Sequence, residues 1–300
     1  MKNELTDTEL LQELKNRFDK NSLLLEEEKN LTAQLNAVNE KLILSEDLKS
    51  NFLSNIRNEI NNPIASILEL SKNIMEGNMD VDTMKRFGVL IHAEAFDLDF
   101  QFKNIFLSAE IEAGESPLSI ISVNVGSIMD NIIACFDYRI LKKKITVTFD
   151  NQIEDFHYFH TDAEKFHLIM SNLLANAITF NREGGSIKIV SKIENNQLII
   201  SVQDTGIGIS DKNKERIYNR FLQLDAGSIK TYGGHGLGLT VTKAMLEIIQ
   251  GEITLSSEVG VGSIFTVTIN QFENVGDDSG ISSTDGNDFL FGQDEDDMLF

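Results

Sequence analysis

The sequence predicts an α + α/β protein, in which helices come first and a sheet covered by helices follows. Three observations carry this. Residues 4 to about 50 contain neither proline nor glycine, and Leu10, Leu11, Leu14, Phe18, Leu24, Leu25, Leu31, Leu35, Val38 and Leu42 recur at helical spacing. Helical spacing then continues through two further runs separated by Gly77 and Asn78. After Pro117 the character changes to short β-branched runs alternating with helical ones.

The first stretch, residues 1–46, reads as an amphipathic helix with coiled-coil spacing. Its apolar stripe is narrow and the rest is polar, so it is expected to pair with a copy of itself; the bland alternative is a solvated single helix. Residues 47–116 read as a helical hairpin. Its first helix carries Phe52, Ile56, Ile60, Ile64, Ile67 and Leu68, with Pro63 expected to remove a backbone hydrogen bond and kink it. Its second carries Phe87, Leu90, Ile91, Phe96, Leu98, Phe102, Ile105 and Phe106 and is expected to end near Gly114. Two such helices leave an apolar face that a homodimeric four-helix bundle would cover.

Residues 117–271 form the expected α/β layer. Ile145–Phe149, Ser186–Val190, Leu198–Val202 and Ser263–Ile269 are strand-like, and Ala163–Phe180 and Val241–Ile249 are helical. Residues 272–300 are acidic and Gly/Ser-rich, with no Lys or Arg, and are expected to be disordered. The end of that tail alternates acids with Phe, Leu and Met, which suits either a docking peptide or a solubilising tail.

Charge and composition narrow the function. Lys+Arg is 26 against Asp+Glu 47, a formal net charge of −21, which argues against nucleic acid or an anionic membrane surface as a general partner. A single cysteine, Cys135, excludes an intramolecular disulfide and fits a reducing, cytoplasmic setting. No apolar signal segment opens the sequence and no run is long enough to span a bilayer, so input is expected from a soluble partner or from the N-terminal helix.

Chemistry concentrates in three glycine- or asparagine-bearing segments. Residues 204–209 read Asp-Thr-Gly-Ile-Gly-Ile directly after a strand, where glycines permit sharp turns and close backbone approach and Asp204 can accept a hydrogen bond from an exocyclic amine. Residues 233–239 read Gly-Gly-His-Gly-Leu-Gly-Leu before a helix, an arrangement that frees amides to face phosphate. Asn172 and Asn176 lie four apart on one helix face, and a carboxamide oxygen suits Mg²⁺. Singly these signals also fit a packing loop or surface asparagines.

In order and spacing, together with Phe221 and the Gly260–Phe265 run Gly-Val-Gly-Ser-Ile-Phe, they resemble the ATP-binding domain of sensor histidine kinases, relatives of the gyrase, chaperone and mismatch-repair ATPases. The resemblance covers about residues 118 to 270 and implies a Bergerat-type α/β sandwich. It implies that Asn176 ligates Mg²⁺ beside Asn172, that Asp204 reads the adenine amino group, and that Gly206 and Gly208 shape the adenine pocket. Gly234, His235, Gly236, Leu237 and Gly238 would wrap the phosphates, with His235 standing where the family has Thr; Lys230 and Tyr232 would sit in a mobile lid. Mg-ATP is the implied ligand. The Asn where the chaperone relatives carry a Glu general base implies no rapid ATP hydrolysis.

The resemblance extends to Asn51–Pro63, which is similar to the dimerisation and phosphoacceptor helix of the same family, and to Ala109–Gly114. Glu59, Asn62 and Pro63 occupy family positions, but the phosphoacceptor histidine is replaced by Asn58, preceded by Arg57. A carboxamide has no basic lone pair like that of imidazole, so self-phosphorylation there is not expected. No histidine precedes His92, which is expected at the surface, and His157, His160 and His167 are explained by a strand end and a helix rather than by a metal site. Three readings stay open. One is a degenerate kinase that binds ATP, dimerises and regulates a partner kinase or response regulator. Another retains activity, either phosphorylating a partner histidine in trans or acting as a response-regulator phosphatase through Asn62. The last is a scaffold independent of nucleotide.

Overall fold

The computed structural model describes residues 7–77, 79–154, 157–219 and 236–272. Phe221, Lys230, Tyr232, Gly234 and His235 lie outside the described residues, as does the acidic tail from Glu273 onward. Two compact units divide the chain, residues 1–54 and 55–300.

The first unit is the N-terminal part of helix α1, Asp7–Met75. Its stripe residues Leu11, Leu14, Phe18, Leu24, Leu31, Leu35, Val38 and Leu42 are all exposed in the single chain.

In the second unit α1 continues to Met75, and Pro63 is accommodated inside it rather than ending it. Gly77, at φ +74°, follows the helix end, as its lack of a Cβ allows. Helix α2, Val81–Ala113, begins where the Asp80 carboxylate accepts the Thr83 amide at 2.7 Å and ends at Gly114 in the left-handed region. Among the described residues no helix is long and apolar enough to cross a membrane.

The α/β layer runs β1 (Ile120–Val123), α3 (Val125–Cys135), α4 (Asp137–Lys142), β2 (Thr146–Asn151), β3 (Phe159–Asp162), α5 (Ala163–Thr179), β4 (Ser186–Glu194), β5 (Gln197–Asp204), α6 (Asp211–Lys214), a 3₁₀ turn (Arg216–Tyr218), α7 (Gly238–Ile248), β6 (Gly251–Glu258) and β7 (Gly262–Asn270). Five strands form one sheet in the order β2-β4-β5-β7-β6, with β2 and β4 parallel and every other pair antiparallel. β1 and β3 form a separate antiparallel pair. The β4–β5 hairpin turns on Asn195 and Asn196, both at positive φ, which suits the twist of a two-residue turn.

Burial alternates along β4, β5 and β7, so the sheet has one face against helices. Ile187, Ile189, Leu198, Ile200, Val267 and Ile269 supply that face. Opposite them α5 presents Phe166, Ile169, Met170, Leu173 and Leu174, flanked by α3 and α7. Each such side chain, fully withdrawn from water, contributes about 1.5–3 kcal/mol. The predicted strands and helices all appear within a few residues of their expected bounds; β1, α3, α4 and β6 were not foreseen.

Part of the apolar face of α2 is covered within the chain. Phe96 and Phe100 meet Phe136 edge-on at centroid distances of 5.2 and 5.8 Å, and Arg139 pairs with Asp97 at 2.5 Å. Helix α2 and the α/β layer thus share an aromatic contact within one chain.

Candidate functional site

Helix α5 is the axis of the site. Its start is fixed by Asp162, whose carboxylate accepts the Lys165 and Ser119 amides, each at 3.0 Å, and pairs with the buried Lys165 ammonium, also at 3.0 Å. Its end is held by Lys143, whose ammonium donates to the carbonyls of Ile178, Thr179 and Asn181 at 2.8, 2.6 and 3.0 Å. A cation there complements the negative end of the helix. Burial holds the Lys143 ammonium below the usual lysine range.

Residues 172, 176 and 180 follow one another at four-residue intervals and therefore share a face over about 12 Å of helix. At the near end, the first residue of α7 lies against Asn172: a Cβ placed on Gly238 would stand 3.2 Å from the Asn172 carboxamide oxygen. In the middle, Asn176 is half-buried and its carboxamide nitrogen is buried without a partner among the described residues. At the far end the Phe180 carbonyl accepts the Ile207 amide at 3.1 Å, which joins α5 to the loop after β5.

That loop is locked on both sides. The Ile207 carbonyl accepts the Gly260 amide at 2.8 Å, and Ser257 Oγ accepts the Ile209 amide at 2.8 Å, so the β6–β7 turn braces it. Gly206 and Gly208 serve this close packing: a Cβ on Gly206 would collide with the Phe180 carbonyl, and one on Gly208, at φ +69°, with the Glu258 carbonyl. Asp204, the last residue of β5, is buried, and its carboxylate accepts the Gly206 amide at 2.8 Å. Burial raises its pKa, opposed by hydrogen bonds from the Gly206 and Ser263 backbones.

Among the described residues no side chain caps the start of α7, where the first amides of a helix lack intrahelical acceptors. Gly236, at φ +70°, leads into it, and Leu237 is buried. The site therefore consists of an asparagine-bearing helix, an uncapped helix start at one end of its face and a braced aspartate–glycine loop at the other. The sequence of residues 161–272 matches the family described as histidine kinase-, DNA gyrase B- and HSP90-like ATPase. This part of the chain is an ATPase domain of that family.

Relatives similar to the chain are named as sensor or histidine kinases. The chain is 30% identical over 227 residues to the autoinducer 2 sensor kinase/phosphatase LuxQ of Vibrio vulnificus, covering 74% of this chain and 26% of the relative. It is 29% identical over 229 residues to histidine protein kinase 1 of Candida albicans, covering 74% of this chain and 9% of the relative. Full-length ShkA in complex with AMPPNP superposes with a TM-score of 0.53 at 19% identity, over 76% of this chain and 46% of that one, which is a likeness of fold. The chain spans less than a third of the length of these curated relatives.

Outside the ATPase domain, Asn58 and Asn62 are exposed on α1, one turn apart, while Pro63 is buried. Glu59 lies beside them in the same helix. His92 is exposed on α2, as expected. His160 bonds to Ser122 and Gln271, and His167 contacts Ser171 Oγ at 3.4 Å. Among the described residues no cluster of three His, Cys, Asp or Glu side chains could hold a metal.

Two contributors escaped the sequence. Lys143 carried no motif. Asn104, on α2, is 4% exposed and accepts a hydrogen bond from the Asn172 carboxamide nitrogen at 2.8 Å. The only available signal for Asn104 was a polar residue close to Phe100, Phe102 and Phe106.

Proposed function

We propose that this chain binds Mg-ATP in the ATPase domain, dimerises through α1 and α2, and acts as a degenerate histidine kinase that regulates a partner kinase or response regulator. The observation that carries the reading is the α5 face, where the Asn176 carboxamide nitrogen, without a partner among the described residues, lies between the start of α7 and the Asp204 loop.

The residues fit a nucleotide. Asp204 would accept from the adenine amino group, its orientation fixed by the Gly206 amide. The uncapped α7 amides near Gly236, Leu237 and Gly238 would receive phosphate oxygens. Mg²⁺ would be held by Asn176, whose carboxamide can turn its oxygen outward, and would neutralise phosphate charge. Gly234, His235, Lys230 and Tyr232 would complete the phosphate loop and lid.

The helical pair lacks the acceptor. Asn58 is exposed where the family carries histidine, and its carboxamide cannot take a phosphoryl group as a stable phosphoramidate. Homodimerisation is supported by the exposed apolar stripe of α1 and by Phe106 of α2, 63% exposed. A second reading draws on Asn62, exposed four residues after Asn58: it could orient water toward an aspartyl phosphate of a response regulator.

Titration with a fluorescent ATP analogue, followed by incubation with γ-labelled ATP, tests the reading. Saturable Mg-dependent binding with no label retained on the protein is expected. Label on an α1 side chain, or absence of binding, would overturn it. Loss of label from a phosphorylated response regulator on adding the protein, abolished in Asn62→Ala, would establish the second reading.

A further inference from the structure

Asn172 faces two ways. Its carboxamide nitrogen donates to Asn104 Oδ1 at 2.8 Å, and its oxygen is directed at the first residue of α7, 3.2 Å from where a Gly238 Cβ would stand. The direction is not arbitrary. Asn104 donates through its own nitrogen to the Phe100 carbonyl at 2.9 Å, which leaves Oδ1 as the atom turned to Asn172. An acceptor there selects the nitrogen of Asn172, and the oxygen must then face α7. Both asparagines are buried, 4% and 3% exposed, so water cannot substitute for either partner. Two hydrogen bonds therefore link the α2 backbone to Asn172, whose oxygen lies against the start of the helix that would receive phosphate.

Resting on the nucleotide-binding reading above, we propose that Asn104 is a positioning residue for the phosphate side of the site, so that Mg-nucleotide affinity depends on α2 being docked against α5. The consequence is reciprocal: nucleotide that favours this orientation of Asn172 stabilises the docked α2, and an undocked α2 weakens nucleotide. A chain without a histidine acceptor would thereby convert nucleotide occupancy into a change in its helical pair.

The experiment compares Asn104→Leu and Asn104→Ala with the full chain, titrating Mg-ADP, Mg-ATP and adenosine in competition with a fluorescent nucleotide. Thermal melting checks that each variant is folded. Asp97→Asn serves as the control, since it removes the ion pair of α2 with Arg139 of α4 and leaves the Asn104–Asn172 contact of α2 with α5 in place. The expected result is a loss of about 5- to 20-fold in Mg-ATP and Mg-ADP affinity in the Asn104 variants, with adenosine affinity within about twofold. In Asp97→Asn the ratio of the two affinities stays as in the unsubstituted protein. In hydrogen exchange, Mg-ADP is expected to slow the amides of residues 99–107 in the unsubstituted protein but not in Asn104→Ala. Equal losses for adenosine and Mg-nucleotide, or no loss at all, would overturn the positioning role and leave nucleotide binding standing. No binding of any nucleotide by the unsubstituted chain would bring down both.

Discussion

The Asp204 carboxylate accepts the Gly206 amide at 2.8 Å, so the residue that ends β5 also sets the turn that follows it. Its remaining acceptor capacity faces a site that burial has made unfavourable for charge.

Asp204→Asn keeps the volume but removes the charge and offers a donor where an acceptor is needed. Affinity for ATP and for adenosine should fall alike, by about 10- to 100-fold, as loss of a charge-assisted hydrogen bond of about 1.5–3 kcal/mol implies. Because the Asp204 pKa is raised, nucleotide affinity in the unsubstituted protein should begin to fall at a higher pH than an ordinary aspartate would give. Isothermal titration across pH 4 to 8, roughly spanning that range, checks both points.

Gly208→Ala forces a Cβ into the Glu258 carbonyl at a positive φ. The loop and the β6–β7 turn cannot both keep their places. The expected cost is about 2–4 kcal/mol by chemical denaturation, with nucleotide binding lost even where the protein remains folded.

Lys143→Met removes an ammonium donor from three carbonyls at the end of α5. A destabilisation of about 2 kcal/mol is expected, since those acceptors sit partly buried at the negative end of the helix. Lys143→Arg should recover only part of it, because a planar fork does not reach three carbonyls as a single ammonium does. Urea midpoints of the three proteins provide the comparison.

His167 is held neutral, with its pKa lowered to about 4 by burial first and by the Lys103 charge second. In the unfolded chain it titrates near the ordinary histidine value of 6.5, so the folded state resists a proton that the unfolded state accepts. Its contribution is fully present above 6.5 and is lost as pH falls toward 4, by about 3 kcal/mol across that window. Denaturant unfolding of the unsubstituted protein and of His167→Gln at pH 7.5 and 4.5 should show a smaller acid loss in the variant.

Legibility followed the physical origin of each element. The strands β4, β5 and β7 were readable because one buried face imposes alternation, and α5 because Phe166, Ile169, Leu173 and Ala177 repeat at helical spacing. Gly206 and Gly208 were visible as glycines with a purpose, and in the structure their missing side chains make room for the Phe180 and Glu258 carbonyls of the protein itself. The strand β6 was missed because Ser256 and Ser257 blunt its polarity pattern on an edge of the sheet. The meeting of Asn104 with Asn172 could not be read at all. It joins residues 68 positions apart, and nothing local to either one encodes its partner.

The start of α7, the Asn176 carboxamide and the loop after β5 all meet successive turns of α5, at residues 172, 176 and 180. Unwinding one turn of that helix detaches an element at once. Ligand competence should therefore vanish in the same cooperative step as the fold of residues 161–272, giving a protein that is switched by local melting rather than dimmed by it.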